Sequence, residues 1–250
     1  MTKIAIENLK KSFGDNHVLK GVNLNIKQGE IMFVVGKSGT GKSVLLKNIA
    51  GLLSPDNGQI LIDGKNILHF NEKEIVEHRK KIGVLFQMAG LFDSLTVFDN
   101  VAFALNRFTD LPPEQIKEMV FEKLGLVGMQ GYEYANPASL SLGMQKRVGL
   151  ARAIAMSPEI ILCDEPTTGV DPLLGAAVDD LISKLNRDLG VTVLVISHDM
   201  ESVFRLADRV AMLFQGNFIF TGTTEELKSS DDARVRQFVK GSAHGPIPIL

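Results

Sequence analysis

The chain has 250 residues, 45% of them hydrophobic, enough to bury a large core, and its 27 basic and 29 acidic residues leave a formal net charge of −2. Because the charges are well mixed, electrostatics make no case for nucleic acid or anionic lipid as the main partner. No apolar run approaches the roughly 20 residues that cross a bilayer, the start Met1-Thr2-Lys3-Ile4-Ala5-Ile6 shows no secretory signal, and the single cysteine, Cys163, has no internal disulfide partner, so a cytosolic protein is expected.

In chain order, residues 1 to 35 are β-rich, and the alternation in Val22-Asn23-Leu24-Asn25-Ile26 predicts a strand exposed on one side. An apolar run, Ile31 to Val35, leads into Gly36-Lys37-Ser38-Gly39-Thr40-Gly41-Lys42-Ser43 and then a helix-like stretch, Val44 to Leu53. Gln59-Ile60-Leu61-Ile62 ends at the tight-turn signal Asp63-Gly64, and these strands are expected to form an antiparallel layer. The strand-like Ile82 to Phe86 precedes Gln87. From about Asp93 to Ser139 the character turns helical: Pro112-Pro113-Glu114-Gln115 signals a helix start, and Ile116, Met119, Val120 and Leu124 recur at helical spacing. A helix-like Met144 to Ala155 is followed by a buried strand, Ile160 to Cys163, ending in Asp164-Glu165, with Cys163 read as packing. A helix from Leu173 to Leu189, the β-rich Val191 to Ser197 before His198, a helix through Ala207 and a strand pair around Ala211 to Phe220 complete the core. No internal repeat or low-complexity run is apparent.

The octapeptide from Gly36 to Ser43 reads as a phosphate cradle. Glycines around variable residues let the backbone wrap an anion, and the following helix turns its unpaired N–H groups toward it. Lys42 is then placed to reach β- and γ-phosphates, and the Ser43 hydroxyl suits magnesium, a hard cation that prefers oxygen ligands. Asp164, at a strand end, can hold that metal directly or through water, while Glu165 points elsewhere and can polarise an attacking water. Gln87 offers a neutral amide for the metal or the water, and His198 a hydrogen bond for a γ-phosphate. A lone Gln or His is usually structural. Both follow candidate strands here, and parallel sheets bind ligands at the carboxyl ends of their strands.

Together these residues resemble the nucleotide-binding subunit of ATP-binding cassette (ABC) transporters, over essentially the whole chain. The order matches: an aromatic in Lys11-Ser12-Phe13-Gly14, the phosphate loop, Gln87, a signature peptide near Leu140 to Gln145, Asp164-Glu165, Gly169-Val170-Asp171, then His198. The resemblance implies an α/β P-loop NTPase fold with a mostly parallel core sheet and an antiparallel β subdomain. An ATPase domain over 1–240 then carries an inserted helical subdomain at approximately 88–157, and 241–250 form a short C-terminal tail. It also implies ATP with Mg2+, and a second copy of the chain closing over two nucleotides. Phe13 would stack on adenine, and Gly36, Lys37, Ser38, Gly39, Thr40, Gly41, Lys42, Ser43 and Val44 would hold the phosphates. Ser43, Gln87 and Asp164 would hold the metal, Glu165 would activate water, His198 would orient the γ-phosphate and Asp171 would link the two sites.

The signature departs from the family's usual Leu-Ser-Gly-Gly-Gln, reading Leu140-Ser141-Leu142-Gly143-Met144. Ser141 and Gly143, which the family turns toward the partner-held γ-phosphate, are retained. Leu142 is expected to slow closure or hydrolysis, if that position needs positive φ or close approach to phosphate.

Subtype rests on two stretches. After Gln87 the run Leu91-Phe92-Asp93-Ser94 and on to Phe103 places apolar side chains where transporter ATPases dock a membrane permease. Of Phe92, Leu95, Val97, Phe98 and Phe103, three are expected to pack and the rest to help form that groove. Both this run and the segment from Asp232 through Gly245-Pro246-Ile247-Pro248 resemble ATPases of Mla-type phospholipid systems, which work with a permease and an MCE-domain lipid-binding protein at the inner membrane. In that subgroup the tail can reach the other ATPase or a STAS-domain regulator; a long extension is not expected here. The alternatives left open are an ABC ATPase for amino acids, metals or drugs, and a soluble member such as an iron–sulfur assembly factor.

Overall fold

A computed structural model describes residues 1–248. Two long antiparallel strands open it, β1 (Thr2–Phe13) and β2 (Asn16–Lys27). In β2 the residues Val22, Leu24 and Ile26 are buried and Asn23 and Asn25 exposed, the period-two pattern of a strand packed on one face. β3 (Ile31–Val35) is buried throughout and leads through the glycine-rich loop to α1 (Lys42–Ile49). β4 (Asn57–Ile62) pairs with β1 and turns into β5 (Lys65–Asn66) through Asp63 and Gly64, both at positive φ, which fits a two-residue hairpin.

α2 (Glu72–Lys80), β6 (Ile82–Leu85), α3 (Val97–Phe108), α4 (Pro113–Leu126) and α5 (Leu142–Ala153) follow. Then come β7 (Ile160–Asp164), α6 (Pro172–Leu189), β8 (Thr192–Ser197) and α7 (Met200–Leu206). The hairpin β9 (Arg209–Phe214) and β10 (Asn217–Gly222), α8 (Thr224–Lys228) and α9 (Ala233–Lys240) end the regular structure.

The chain divides into two compact units: Met1–Ile75 with the segment from Thr192 onward, and Val76–Val191. The first holds the antiparallel layer β2-β1-β4-β5 and a parallel set in which β3 lies between β8 and β9, with β10 antiparallel to β9. β3 and β8 are buried on both faces, so they read as continuous apolar runs rather than alternating ones. In the second unit β6 and β7 run parallel, with Leu85 opposite Cys163. Gly83 of β6 admits α5 closely, since a Cβ there would lie 2.2 Å from the Ala153 carbonyl oxygen.

Element boundaries differ from expectation by a residue or more at several places, and those beside the candidate site have a physical reason. α1 runs from Lys42 to Ile49 rather than from Val44 to Leu53, because Gly41 in the left-handed region starts it earlier and Gly51, also at positive φ, ends it. α5 starts at Leu142 instead of Met144: the Ser141 hydroxyl caps it, accepting from the Met144 N–H at 3.4 Å. The strand before Gln87 stops at Leu85. Of the expected tail 241–250, residues 249 and 250 lie outside the described residues.

Candidate functional site

In the first unit β3 delivers the chain into the glycine-rich loop. Gly36 sits at φ +150, and a Cβ there would lie 2.3 Å from the Leu213 carbonyl oxygen of β9, so the position has room for glycine alone. Gly39, also at positive φ, faces open space, with nothing within 4 Å of a built Cβ: this is the free side of the cradle. Gly41 provides no side-chain cap to α1, which leaves first-turn amides for an anion. Lys42 is buried, its Nζ donating to the carbonyls of Gly36 (2.7 Å) and Lys37 (3.1 Å), while Thr40 Oγ1 donates to the Lys37 carbonyl at 2.9 Å. The ammonium is thus held within the loop. Lys37, Ser38 and Gly39 are exposed, and Ser43 and Val44 are half-buried at the start of α1.

Val35 pairs with Ser197 in the β3–β8 ladder, so Gly36 and His198 leave adjacent parallel strands at the same end. His198 is exposed there. Phe13, at the end of β1, is 48% exposed, with Lys11 Nζ 5.4 Å from its ring centroid. Lys11 also pairs with Asp56 at 2.9 Å, and the Ser12 N–H donates to Asp56 at 2.6 Å; these bonds hold the Asp56 carboxyl below its usual range. The result is an anchored strand end presenting a flat ring that a base can cover.

In the second unit Leu85 and Cys163 are opposite each other in parallel strands, and the chain continues to Gln87 from one and to Asp164-Glu165 from the other. Glu165 adopts φ +53, a left-handed conformation that costs a side-chain-bearing residue roughly 1–3 kcal/mol and collects at functional sites. Its carboxylate accepts from Thr168 Oγ1 at 2.9 Å and its carbonyl from the Thr168 N–H at 3.3 Å, which fixes where the carboxylate points. Asp171 caps α6, accepting from the N–H groups of Leu173 and Leu174 at 3.0 and 3.1 Å. Gly143 is buried, with Leu174 3.3 Å from where its Cβ would be, and Gln145 Nε2 donates to the carbonyls of Pro137 and Leu140, both at 3.1 Å.

The conformational objection to Leu142 is corrected. It is the first residue of α5 and is absent from the positive-φ positions, so no left-handed strain attaches to it.

Two cations of α5 escaped the sequence reading. Lys146 is 0% exposed, and its Nζ donates to the carbonyls of Gln87 (3.0 Å) and Glu165 (3.2 Å). Arg152 donates to the carbonyls of Ala89 (2.8 Å) and Gly90. Burial pushes both groups down from their ordinary values, and for Lys146 the neighbouring Cys163 and Glu165 act the other way. Burial also pushes the Cys163 thiol up to about 12, so it stays protonated and inert. The signal that could have found Lys146 is spacing: Gly143, Lys146 and Leu150 fall at i, i+3 and i+7, all buried.

Among the five apolar residues after Gln87, Val97 is buried, Leu95 and Phe98 are half-buried, and Phe92 and Phe103 are 45% and 47% exposed with ring centroids 4.9 Å apart. Asn100, fully buried, accepts from the Phe92 N–H and donates to the carbonyls of Phe92, Leu95 and Thr96, which locks the loop carrying Phe92. Among the described residues no group of three His, Cys, Asp or Glu gathers as a metal site, and no helix is long and apolar enough to cross a membrane.

The profile of the ABC transporter family matches residues 19–168. The chain belongs to that family. As an ABC ATPase it shares 43% identity with MlaF of Haemophilus influenzae, an intermembrane phospholipid transport ATP-binding protein, over 98% of this chain and 92% of the relative. MlaF of Escherichia coli K12 is 40% identical over 94% of this chain and 87% of its own length. The Mycobacterium leprae protein mkl, named for ribonucleotide transport, is 43% identical over 98% of this chain and 70% of its own length. Among solved structures, cbiO1 of Clostridium perfringens superposes with a TM-score of 0.84 at 32% identity, covering 94% of each chain. The cassette MJ0796, in a dimeric post-hydrolysis state with ADP and Pi, gives 0.81 at 33%, covering 88% of this chain and 98% of that one. The fold is therefore the P-loop NTPase fold of ABC ATPases, and the chain is an ATP-binding, ATP-hydrolysing subunit.

Proposed function

We propose that this ABC ATPase drives phospholipid transport in an Mla-type system, contributing to outer-membrane lipid asymmetry. Two copies would close over two Mg-ATP at the cytoplasmic face of the inner membrane, beneath a permease and with an MCE-domain lipid-binding protein in the assembly. A STAS-domain regulator is the further partner this reading allows. The supporting observation is the length of the match to MlaF: 43% identity over 98% of this chain and 92% of the Haemophilus influenzae protein. Identity to mkl is equal, but the alignment takes in less of that relative. Phe92 and Phe103, exposed on a loop and helix locked by Asn100, supply the surface for the permease.

The residues then divide the work. Phe13 stacks on adenine, while Gly36 to Val44, with the amides of α1 and Lys42, hold the phosphates. The oxygen donors of Ser43, Gln87 and Asp164 suit Mg2+, and the open side of the loop at Gly39 leaves room for a phosphate. Mg2+, when bound, neutralises charge on the phosphate oxygens. Glu165, aimed by Thr168, takes the proton of the attacking water. His198 orients the γ-phosphate, Ser141 and Gly143 of the second copy reach it, and Asp171 links the two sites. Catalysis is mainly positioning and charge stabilisation.

The test is to trap the Glu165→Gln protein with ATP, purify it from native membranes and identify the co-purifying chains. An MCE-domain protein with a permease is expected. A permease without one would overturn the phospholipid reading and favour another transported substrate, and no membrane partner would favour a soluble ATPase. In parallel, Glu165→Gln is expected to bind ATP normally and lose turnover by at least about 100-fold; near-normal hydrolysis would sink the base assignment.

A further inference from the structure

Lys146 is wholly buried, yet its Nζ is bonded to main-chain carbonyls, those of Gln87 at 3.0 Å and Glu165 at 3.2 Å. Packing alone does not call for this. A methionine or leucine would fill the same space without the desolvation cost of an ammonium. The two carbonyls lie 59 and 19 residues away in sequence, on segments that leave parallel strands β6 and β7 at the same end. Both segments are conformationally demanding: Glu165 is at φ +53, and Ala89 and Gly90, just past Gln87, are at +56 and +65. Arg152, further along the same helix, holds the Ala89 and Gly90 carbonyls, so α5 grips the Gln87 turn at two points.

We propose that Lys146 is a positioning residue for ATP hydrolysis, a strut that fixes the main chain at Gln87 and Glu165 together and ties both to the helix that begins at the signature peptide. It touches no substrate. Its two bonds set the direction in which the Gln87 amide and the Glu165 carboxylate leave the backbone, and the Thr168 bond then trims the carboxylate. Because Ser141 caps the start of α5, whatever engages that helix end displaces the base and the metal ligand with it. The inference rests on the proposed roles of Gln87 and Glu165.

The experiment compares Lys146→Met, which keeps length and removes the donors, with Lys146→Gln, which keeps amide donors on a shorter stem, and with Glu165→Gln. For each, kcat and KM for ATP, the Mg2+ concentration for half-maximal turnover, metal-free ATP binding and Tm are measured, with assays run well below every Tm. Lys146→Met is expected to lose kcat by about 10- to 100-fold, as when a group orienting a metal ligand is removed, and to need more Mg2+. Its KM for ATP and metal-free ATP binding should change by less than about threefold, since the phosphate loop is untouched. Lys146→Gln should fall between it and the wild type. Lys146→Met with near-wild-type kcat, or a loss in KM alone, would overturn the proposal. Should Lys146→Met fail to fold, Lys146→Gln decides: a reduced kcat and a raised Mg2+ requirement support the strut, and wild-type values of both overturn it. Glu165→Gln separates the two readings, because full turnover there removes the base assignment itself, whereas an inactive Glu165→Gln beside a fully active Lys146→Met removes only the strut.

Discussion

A methyl group has nowhere to go at Gly36. The Leu213 carbonyl oxygen, a backbone atom, stands 2.3 Å from the built Cβ, whose position the backbone fixes, so neither side can yield by rotating a side chain. Gly36→Ala should therefore reshape the loop, cost about 1–3 kcal/mol of stability as overpacking does, and abolish ATP binding measured by titration calorimetry; normal affinity would show that the loop can relax. Leu142 is a different case. Its backbone is ordinary helix, and its Cδ2 lies 3.0 Å from where a Gly169 Cβ would be, so what remains of the expected penalty is the bulk of the side chain. Leu142→Gly should raise turnover while lowering stability by about 1 kcal/mol, the cost of glycine in a helix; unchanged turnover would remove the steric role. The sequence showed the phosphate loop and the Asp164-Glu165 pair because their chemistry needs fixed residue types at fixed spacing. It hid Lys146, since Gln145-Lys146-Arg147 looks like a solvated charged stretch and only the tertiary fold turns its middle residue inward. Likewise, no residue type announced the left-handed backbone of Glu165.

At the scale of elements, long apolar runs were the easiest to place: β3, β7 and β8 lie where their Val, Ile and Leu content put them. Helix starts were harder, because Gly41 and Ser141 begin α1 and α5 within peptides that the eye assigns to loops. Contact between elements can be tested at Gly83, where a Cβ would press on the Ala153 carbonyl oxygen of α5. Gly83→Ala should destabilise by about 1–3 kcal/mol, lowering Tm by roughly 2–4 °C for each kcal/mol, and an unchanged Tm would mean that α5 shifts at no cost. The start of α9 carries a pH dependence. Asp232 caps it and is held by Arg234, first through the side-chain hydrogen bond, so its carboxyl sits at about 2 against an ordinary 3.8. A carboxyl depressed in the folded state stabilises above its unfolded value, and that contribution is lost as pH falls from 3.8 toward 2. Melting curves of wild type and Asp232→Asn should differ at neutral pH and converge across that window; a constant difference would assign the effect to capping geometry instead.

Over the whole molecule, the two ends of the chain build one unit and its middle builds the other. The first unit therefore has to secure a C-terminal segment that, by composition, reads as a frayed proline-rich end. Gln237 of α9 makes three of the bonds that do this. Its amide donates to the carbonyls of Ser242 (3.2 Å) and Ile247 (3.1 Å) and accepts from the Ile247 N–H at 2.7 Å, which seats Ile247 in a buried position. Gly245 fits beneath, since a Cβ there would meet the Gln237 side chain at 2.4 Å. Beyond Ile247, the Pro248 carbonyl accepts from Lys37 Nζ at 2.8 Å, so the tail reaches the exposed part of the phosphate loop. Gln237→Ala removes all three amide bonds and leaves a buried N–H and carbonyl of Ile247 without those partners, a loss of about 1–3 kcal/mol for each group if they stay buried. The less costly response is for 242–248 to detach and hydrate. Gln237→Ala is accordingly expected to be cut by a broad-specificity protease within that segment, while the ATPase core stays intact and Tm falls only slightly. Equal resistance in both proteins would show that Ile247 burial alone holds the tail, and Ile247→Ser, which keeps the amide bonds and removes the apolar anchor, then identifies which of the two contacts carries it.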